Sequence, residues 1–225
     1  MNEPLPIHHF TDILCVWAYV CQVRVDELIE AEGDAIAVER RFCSVFADAS
    51  DRLAKRWSDR GGLGGYATHV QSVVARFDHL TISEKAWAET APRSSLGVHI
   101  FLSAIRHLEG VEAVPSASFA KASWAMREAF FAEGRDIGQR TVQYEVAEQL
   151  ELPIAAIEDC LADSSAHAEL AADFDLAKRL DVHVSPTLVL NEGRQRLAGN
   201  VGYRVIAANV HELLRGSAGD DASWC

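Results

Sequence analysis

Asp12-Ile13-Leu14-Cys15-Val16-Trp17-Ala18-Tyr19-Val20-Cys21 is the stretch on which the fold of this chain turns. It follows a short strand-like run, Ile7-His8-His9-Phe10-Thr11, and opens a helical pattern that continues to Glu32. A cysteine between a strand and a helix N-terminus faces unpaired N–H groups and the positive end of the helix dipole. Both stabilise a sulfur anion and lower its pKa. Cys15 is therefore expected to be a partly exposed nucleophile; the plainer alternative is an inert cysteine. Asp12 opposes activation if its carboxylate lies within about 6 Å of the sulfur, and it is equally suited to cap the helix. Far downstream, Val184-Ser185-Pro186-Thr187-Leu188-Val189-Leu190 sets a proline at the head of an apolar strand.

Working outward, residues 7–11 read as a first strand and 16–32 as a helix, with Trp17, Val20, Cys21, Leu28 and Ile29 at helical spacing and Gly33 as terminator. Residues 35–46 read as a second strand. Gly61-Gly62-Leu63-Gly64-Gly65 reads as a flexible break. Beyond it the pattern predicts helices over 66–78, 81–89, 95–109, 116–132, 136–149, 153–162 and 164–180, with Pro92, Pro115 and Pro153 at helix starts. Strands over 187–191 and 195–199, a turn at Asn191-Glu192-Gly193 and a last helix over 202–215 close the pattern.

The chain resembles the DsbA-like branch of the thioredoxin superfamily, especially its FrnE-type and 2-hydroxychromene-2-carboxylate isomerase-like members. Those proteins open with D-x-x-C-P-W-C-Y or D-x-x-S-P-Y; this chain keeps Asp12, Cys15, Trp17 and Tyr19. It departs with Val16 for proline, Ala18 for the second cysteine and Cys21 for the usual glycine. The stretches Ser94–His99 and Ala129–Ile137 are similar too. The resemblance implies an α/β chain, a thioredoxin fold interrupted by an all-helical insertion domain. The strand and helix pattern divides the chain accordingly: residues 1–47 and 163–216 would form the thioredoxin-like domain and 48–162 the insertion, and the Gly-, Ser- and Asp-rich stretch 217–225 reads as a disordered tail. The resemblance also implies a cis peptide at Pro186, which would place the Ser185 hydroxyl near the Cys15 sulfur and offer the Ser185 backbone to an extended substrate.

Charge and cysteine count bound the function. Of 225 residues, 21 are Lys or Arg and 33 are Asp or Glu, a net charge of −12, so no nucleic acid is expected as partner. No apolar run approaches the roughly 18 residues of a membrane span, and the first residues carry no secretory pattern. A cytoplasmic location, with reduced thiols, is expected. Five cysteines at 15, 21, 43, 160 and 225 show no zinc-type spacing, so no metal is expected. Cys43 and Cys160 read as small buried hydrophobes, as does Cys21.

Without a sulfur at 18, a local dithiol cycle cannot run. The favoured function is a DsbA-like thiol oxidoreductase acting through Cys15 alone. The alternatives are a glutathione-dependent isomerase or transferase, and a non-catalytic binding protein. Trp17, Ser185, Pro186 and His99 are the candidate substrate-binding residues. Trp17 either lines an apolar groove or packs against the insertion; His99 either lines the cleft or takes a surface or capping role. His183, before the proline, is a candidate local base. No cofactor is expected to be tightly bound, glutathione is a candidate co-substrate, and the expected partners are a small thiol or thiol-bearing substrate, with a homodimer left open.

Overall fold

The computed structural model describes residues 3–216. The expected tail at 217–225, Cys225 included, lies outside the described residues.

The chain begins with β1 (Leu5–Thr11), in which Ile7 and Phe10 are fully buried on opposite faces. It turns through Asp12–Leu14 into α1 (Val16–Glu32), which stops at Gly33 with φ of 50°. After β2 (Ile36–Phe42) come six helices: α2 (Ala49–Trp57), α3 (Gly62–Val74), α4 (Leu96–Gly110), α5 (Ser118–Arg127), α6 (Arg140–Gln149) and α7 (Ile154–Ala162). Then α8 (Ser165–Arg179), β3 (Thr187–Leu190), β4 (Gln195–Ala198) and α9 (Tyr203–Gly216) complete the described chain.

The four strands form one sheet in the order β2-β1-β3-β4. β1 runs parallel to β2, with Thr11 opposite Phe42, and antiparallel to β3, with Phe10 opposite Thr187. The strands therefore come from both ends of the chain and share one sheet. This register also places the end of β1 beside the start of β3, so the Cys15 turn and the Pro186 turn meet at one sheet end.

Side-chain alternation assigns the two faces. Ile7, Leu188 and Leu190 pack with Val25 and Leu28 of α1 and Val210 of α9. On the other face Phe10 and Val189 pack with Cys43 and with Ala177 of α8. A larger apolar cluster joins Ile13–Val16 and Ala18–Val20 to the helices that follow β2, including Phe101, Leu102 and Ile105 of α4. The helical segment thus packs directly onto the turn that carries Cys15.

Several sequence expectations need correction. β2 ends at Phe42, not near 46, because the chain then leaves the sheet and the Phe46 N–H donates to the Asp12 carboxylate instead of to a strand. Residues 81–89 form no helix: Trp87 has φ of 65°, and its N–H donates to the Thr90 carbonyl in a tight loop. The segment 116–132 divides into α5 and a π-helical turn at Glu128–Ala132. The helix expected from 136 begins at Arg140. α2 was not expected at all. Nor is the glycine run a flexible break. Gly61, with φ of 84°, ends the preceding turn, and α3 starts at Gly62. A Cβ on Gly65 would lie 1.8 Å from the Arg60 carbonyl oxygen, so only glycine permits that close approach.

Candidate active site

Cys15 is the N-cap residue of α1, with extended backbone (φ −83°, ψ 116°). Its carbonyl accepts the Ala18 and Tyr19 N–H groups, and its thiol donates to the Ser185 carbonyl at 3.2 Å. Ser185–Pro186 is a cis peptide. Three expected site residues, Cys15, Ser185 and Pro186, are therefore gathered at the sheet end. The Ser185 hydroxyl also lies within hydrogen-bond reach of the sulfur, where it opposes the rise in the thiol pKa. The hydroxyl accepts the Asp12 N–H at 2.8 Å.

The Cys15 turn is held by buried polar groups. The Asp12 carboxylate accepts the N–H groups of Leu14 and Phe46 at 3.0 and 2.7 Å and the Ser95 hydroxyl at 2.9 Å. Burial still raises its pKa to about 6, against the lowering effect of those hydrogen bonds and of the Arg127 charge. Asp12 is thus a turn-bridging acceptor and does not cap α1, which has no side-chain cap at Cys15. His99, expected at the cleft or the surface, is at neither. It is completely buried, stacked on Phe42 with ring centres 4.2 Å apart, and its Nε2 accepts the Ile13 N–H at 3.1 Å. Burial, reinforced by the Arg127 and Arg106 charges, lowers its pKa to about 3, which keeps the ring neutral and able to accept. Arg127, also buried, donates to Gln22 and Thr11, both at 3.0 Å.

The expected activation of Cys15 is not what the packing produces. Its side chain is 6 % exposed rather than partly open. Burial pushes the thiol above its ordinary value, and the nearby Asp12 charge adds to the rise. Contacts with Ser185 and with the Ala18 and Trp17 N–H groups at the head of α1 oppose it without overcoming it. Ala18, where the second sulfur of a C-x-x-C would stand, is fully buried. Cys21 and Cys43 are buried free thiols, also raised by burial, Cys21 to about 11. The Cys21 sulfur is held by Asn200 and Arg24 at 3.2 and 3.3 Å.

Above Cys15 lies a cleft of about 510 Å³. Trp17, Phe46, Trp57 and Tyr66 give it aromatic walls, and Val184 and Ser185 close one side. Trp17 does line the cleft, with Arg76 set over its ring at 5.6 Å. Tyr19 belongs to the core, stacked between Trp124 and Phe131 with its hydroxyl donating to the Thr81 carbonyl. His183 reaches the cleft edge, where it pairs with Asp181 at 2.7 Å. Cys15 is the one cysteine among the lining residues. Sequence reasoning missed Arg52, Arg56 and Arg60, which line the same cleft from α2 and the turn after it. Their i, i+4, i+8 spacing was the available signal. Among the described residues no cluster of three or more metal-ligating side chains occurs, and no helix is long and apolar enough to cross a membrane.

No protein-family model matches the chain, and no curated protein is similar to it in sequence. Solved structures are similar in fold. A probable DsbA oxidoreductase from Streptomyces coelicolor superposes with a TM-score of 0.71 at 20 % identity, covering 98 % of this chain and 93 % of that one. The cytosolic disulfide reductase DsbM from Pseudomonas aeruginosa, in its structure with GSH, gives 0.64 at 18 % identity over 95 % and 99 %. A 2-hydroxychromene-2-carboxylate isomerase gives 0.62 at 15 % identity over 96 % and 100 %. With β1 and β3 paired, a cis-proline turn against Cys15 and a helical segment between the two halves in sequence, the chain has the DsbA-like thioredoxin fold.

Proposed function

We propose that this chain is a cytoplasmic thiol enzyme that exchanges disulfides through Cys15 alone, with glutathione as the thiol that resolves the intermediate. The observation that carries this reading is the single cleft-lining sulfur, 3.2 Å from the Ser185 carbonyl at a cis-proline turn, with alanine at 18. The Cys15 thiol loses its proton and attacks one sulfur of a substrate disulfide. A bond forms between the Cys15 sulfur and that sulfur, the substrate S–S bond breaks, and the other half leaves as a thiolate that takes up the proton. Glutathione thiolate then attacks the retained substrate sulfur. Cys15 leaves with the bonding pair and is reprotonated, and the product is a mixed disulfide of glutathione and substrate. The glutathione complex of the DsbM relative supports the choice of co-substrate.

Incubation with oxidised glutathione followed by mass spectrometry tests the reading. One glutathione adduct on Cys15, absent from Cys15→Ser, is expected; no adduct refutes it. The raised thiol pKa favours a second reading, a glutathione-dependent isomerase or transferase. There Cys15 stays protonated and donates a hydrogen bond to a bound glutathione thiolate. Serine would donate equally well, so Cys15→Ser separates the two: it abolishes exchange but spares a transferase.

A further inference from the structure

Arg52, Arg56 and Arg60 form three rungs of positive charge on the wall of the Cys15 cleft. Among the described residues none of the three has a carboxylate partner, whereas Lys55, on the same helix but outside the cleft lining, is paired with Asp51 at 2.8 Å. The cleft lining contains no aspartate or glutamate at all, in a chain of net charge −12. Two rungs are set on aromatic rings: Arg52 lies over Phe46 at 5.2 Å and Arg60 over Trp57 at 5.7 Å. Crowding accompanies the geometry, since burial and then the neighbouring Arg56 charge hold Arg52 below the usual arginine value. The last rung is fixed by backbone. Gly65 is pressed against the Arg60 carbonyl so closely that no side chain fits there.

An exposed row of arginines is ordinarily a solvated helix face. Here the acidic residues that would normally accompany such a row are missing from the one cavity that holds the candidate nucleophile. Concave, low-dielectric walls of one sign concentrate the opposite charge.

We propose that the three arginines are a recognition ladder for the carboxylates of the thiol or disulfide that reacts at Cys15, and that the substrate class is peptide-sized polycarboxylate thiols. Helical rise separates Arg52 and Arg56 by about 6 Å, and Arg60 lies further along in the turn that follows α2. An extended tripeptide spans at most about 10 Å, so its two end carboxylates can reach two different rungs. Planar guanidinium groups suit bidentate carboxylate binding. The inference rests on the thiol chemistry proposed for Cys15 but concerns binding, which can be measured without it.

The test uses S-methylglutathione, which carries two carboxylates and no free thiol, and its diester, which carries none. Binding is followed by tryptophan fluorescence, since Trp17 and Trp57 line the cleft. Wild type and Cys15→Ser should bind S-methylglutathione alike, and the diester should bind at least about tenfold more weakly. Each of Arg52→Gln, Arg56→Gln and Arg60→Gln should weaken binding about threefold to tenfold, and the triple variant about a hundredfold or more. Arg→Lys changes, which keep the charge, should restore part of the loss. Equal binding of the diester, unchanged affinity in the triple variant, or no binding of S-methylglutathione at millimolar concentration overturns the ladder. Absence of a Cys15 adduct with oxidised glutathione, with ladder binding intact, instead overturns the exchange chemistry.

Discussion

Lowering the pH should destabilise this protein through two buried histidines, and His99 allows the effect to be isolated. His9 and His99 are 2 % and 0 % exposed, and burial followed by the Arg127 charge holds each at a pKa of about 3 in the folded chain. In the unfolded chain each returns to about 6.5, so below that value the unfolded state binds more protons and stability falls with pH. At about pH 5 some 1.5 units of this gap have been crossed, a loss of about 2 kcal/mol per histidine. Asp12 acts in the opposite direction. Its folded pKa is raised from 3.8 to about 6, so the folded state gains the extra proton and recovers about 1.4 kcal/mol by pH 5. The net loss is about 3 kcal/mol, against a total stability of about 5–15 kcal/mol. His99→Gln keeps an acceptor for the Ile13 N–H but cannot titrate, so it should remove about 2 kcal/mol of that loss. It also gives up the stacking on Phe42 at all pH values, so the slope, not the absolute stability, is the readout. Urea unfolding followed by tryptophan fluorescence at about pH 7.5 and about pH 5 measures both. If wild type and His99→Gln lose the same stability between the two conditions, the neutral buried histidine is not what the packing imposes.

Three further outcomes follow from the same geometry. In the absence of ligand, iodoacetamide should alkylate Cys15 with a midpoint above the ordinary cysteine value of about 8.5, because burial raises the thiol; a midpoint below that value contradicts the burial argument. Ala18→Cys should form a disulfide with Cys15 and raise insulin reduction by a large factor, since the second sulfur attacks intramolecularly; a variant with neither property shows that the frame cannot support a dithiol cycle. Ser185→Ala should cost about 1–3 kcal/mol by leaving the buried Asp12 N–H without its acceptor, while adduct formation at Cys15 persists because the Ser185 carbonyl is kept; unchanged stability in chemical denaturation would show that this bond is dispensable.

The two ends of the chain were legible in sequence because their signals are local. The bounds of α1, Val16–Glu32, follow from the strand before Asp12 and from Gly33, and β3 follows from the apolar run after Pro186. The middle was harder for the same reason in reverse. α2 buries only Ala49 and Leu53, so its apolar stripe is too thin to announce a helix, although the arginines beside that stripe repeat at the same spacing. The loop at 81–89 looks helical in composition but is set by the positive φ of Trp87, a residue buried completely by tertiary packing. His99 could not be placed because its partner, the Ile13 N–H, lies 86 residues away. The rise in the Cys15 pKa was hidden likewise: the helix N-terminus is visible in the sequence, whereas the packing that buries the sulfur comes from the helical segment.

A buried thiol with a raised pKa and a cationic ladder belong to one energetic argument. Each unit by which a thiol pKa exceeds the ambient pH lowers the thiolate fraction about tenfold, while intrinsic nucleophilicity recovers only about threefold, from a Brønsted slope near 0.4–0.5. Cys15 therefore loses about threefold in rate per unit of its rise. Binding energy gathered at the far end of a substrate can offset that loss, provided it also positions the reacting sulfur. Arg52, Arg56 and Arg60 are the groups placed to supply it, since they share the cleft with Cys15 and have no carboxylate of their own among the described residues. On this account the ladder makes reaction at a reluctant sulfur selective. A neutral disulfide meets the full penalty at Cys15, and an anionic one meets it already held in place. Discrimination should then appear in kcat/KM for charged against uncharged disulfides. The triple arginine variant should erase that discrimination.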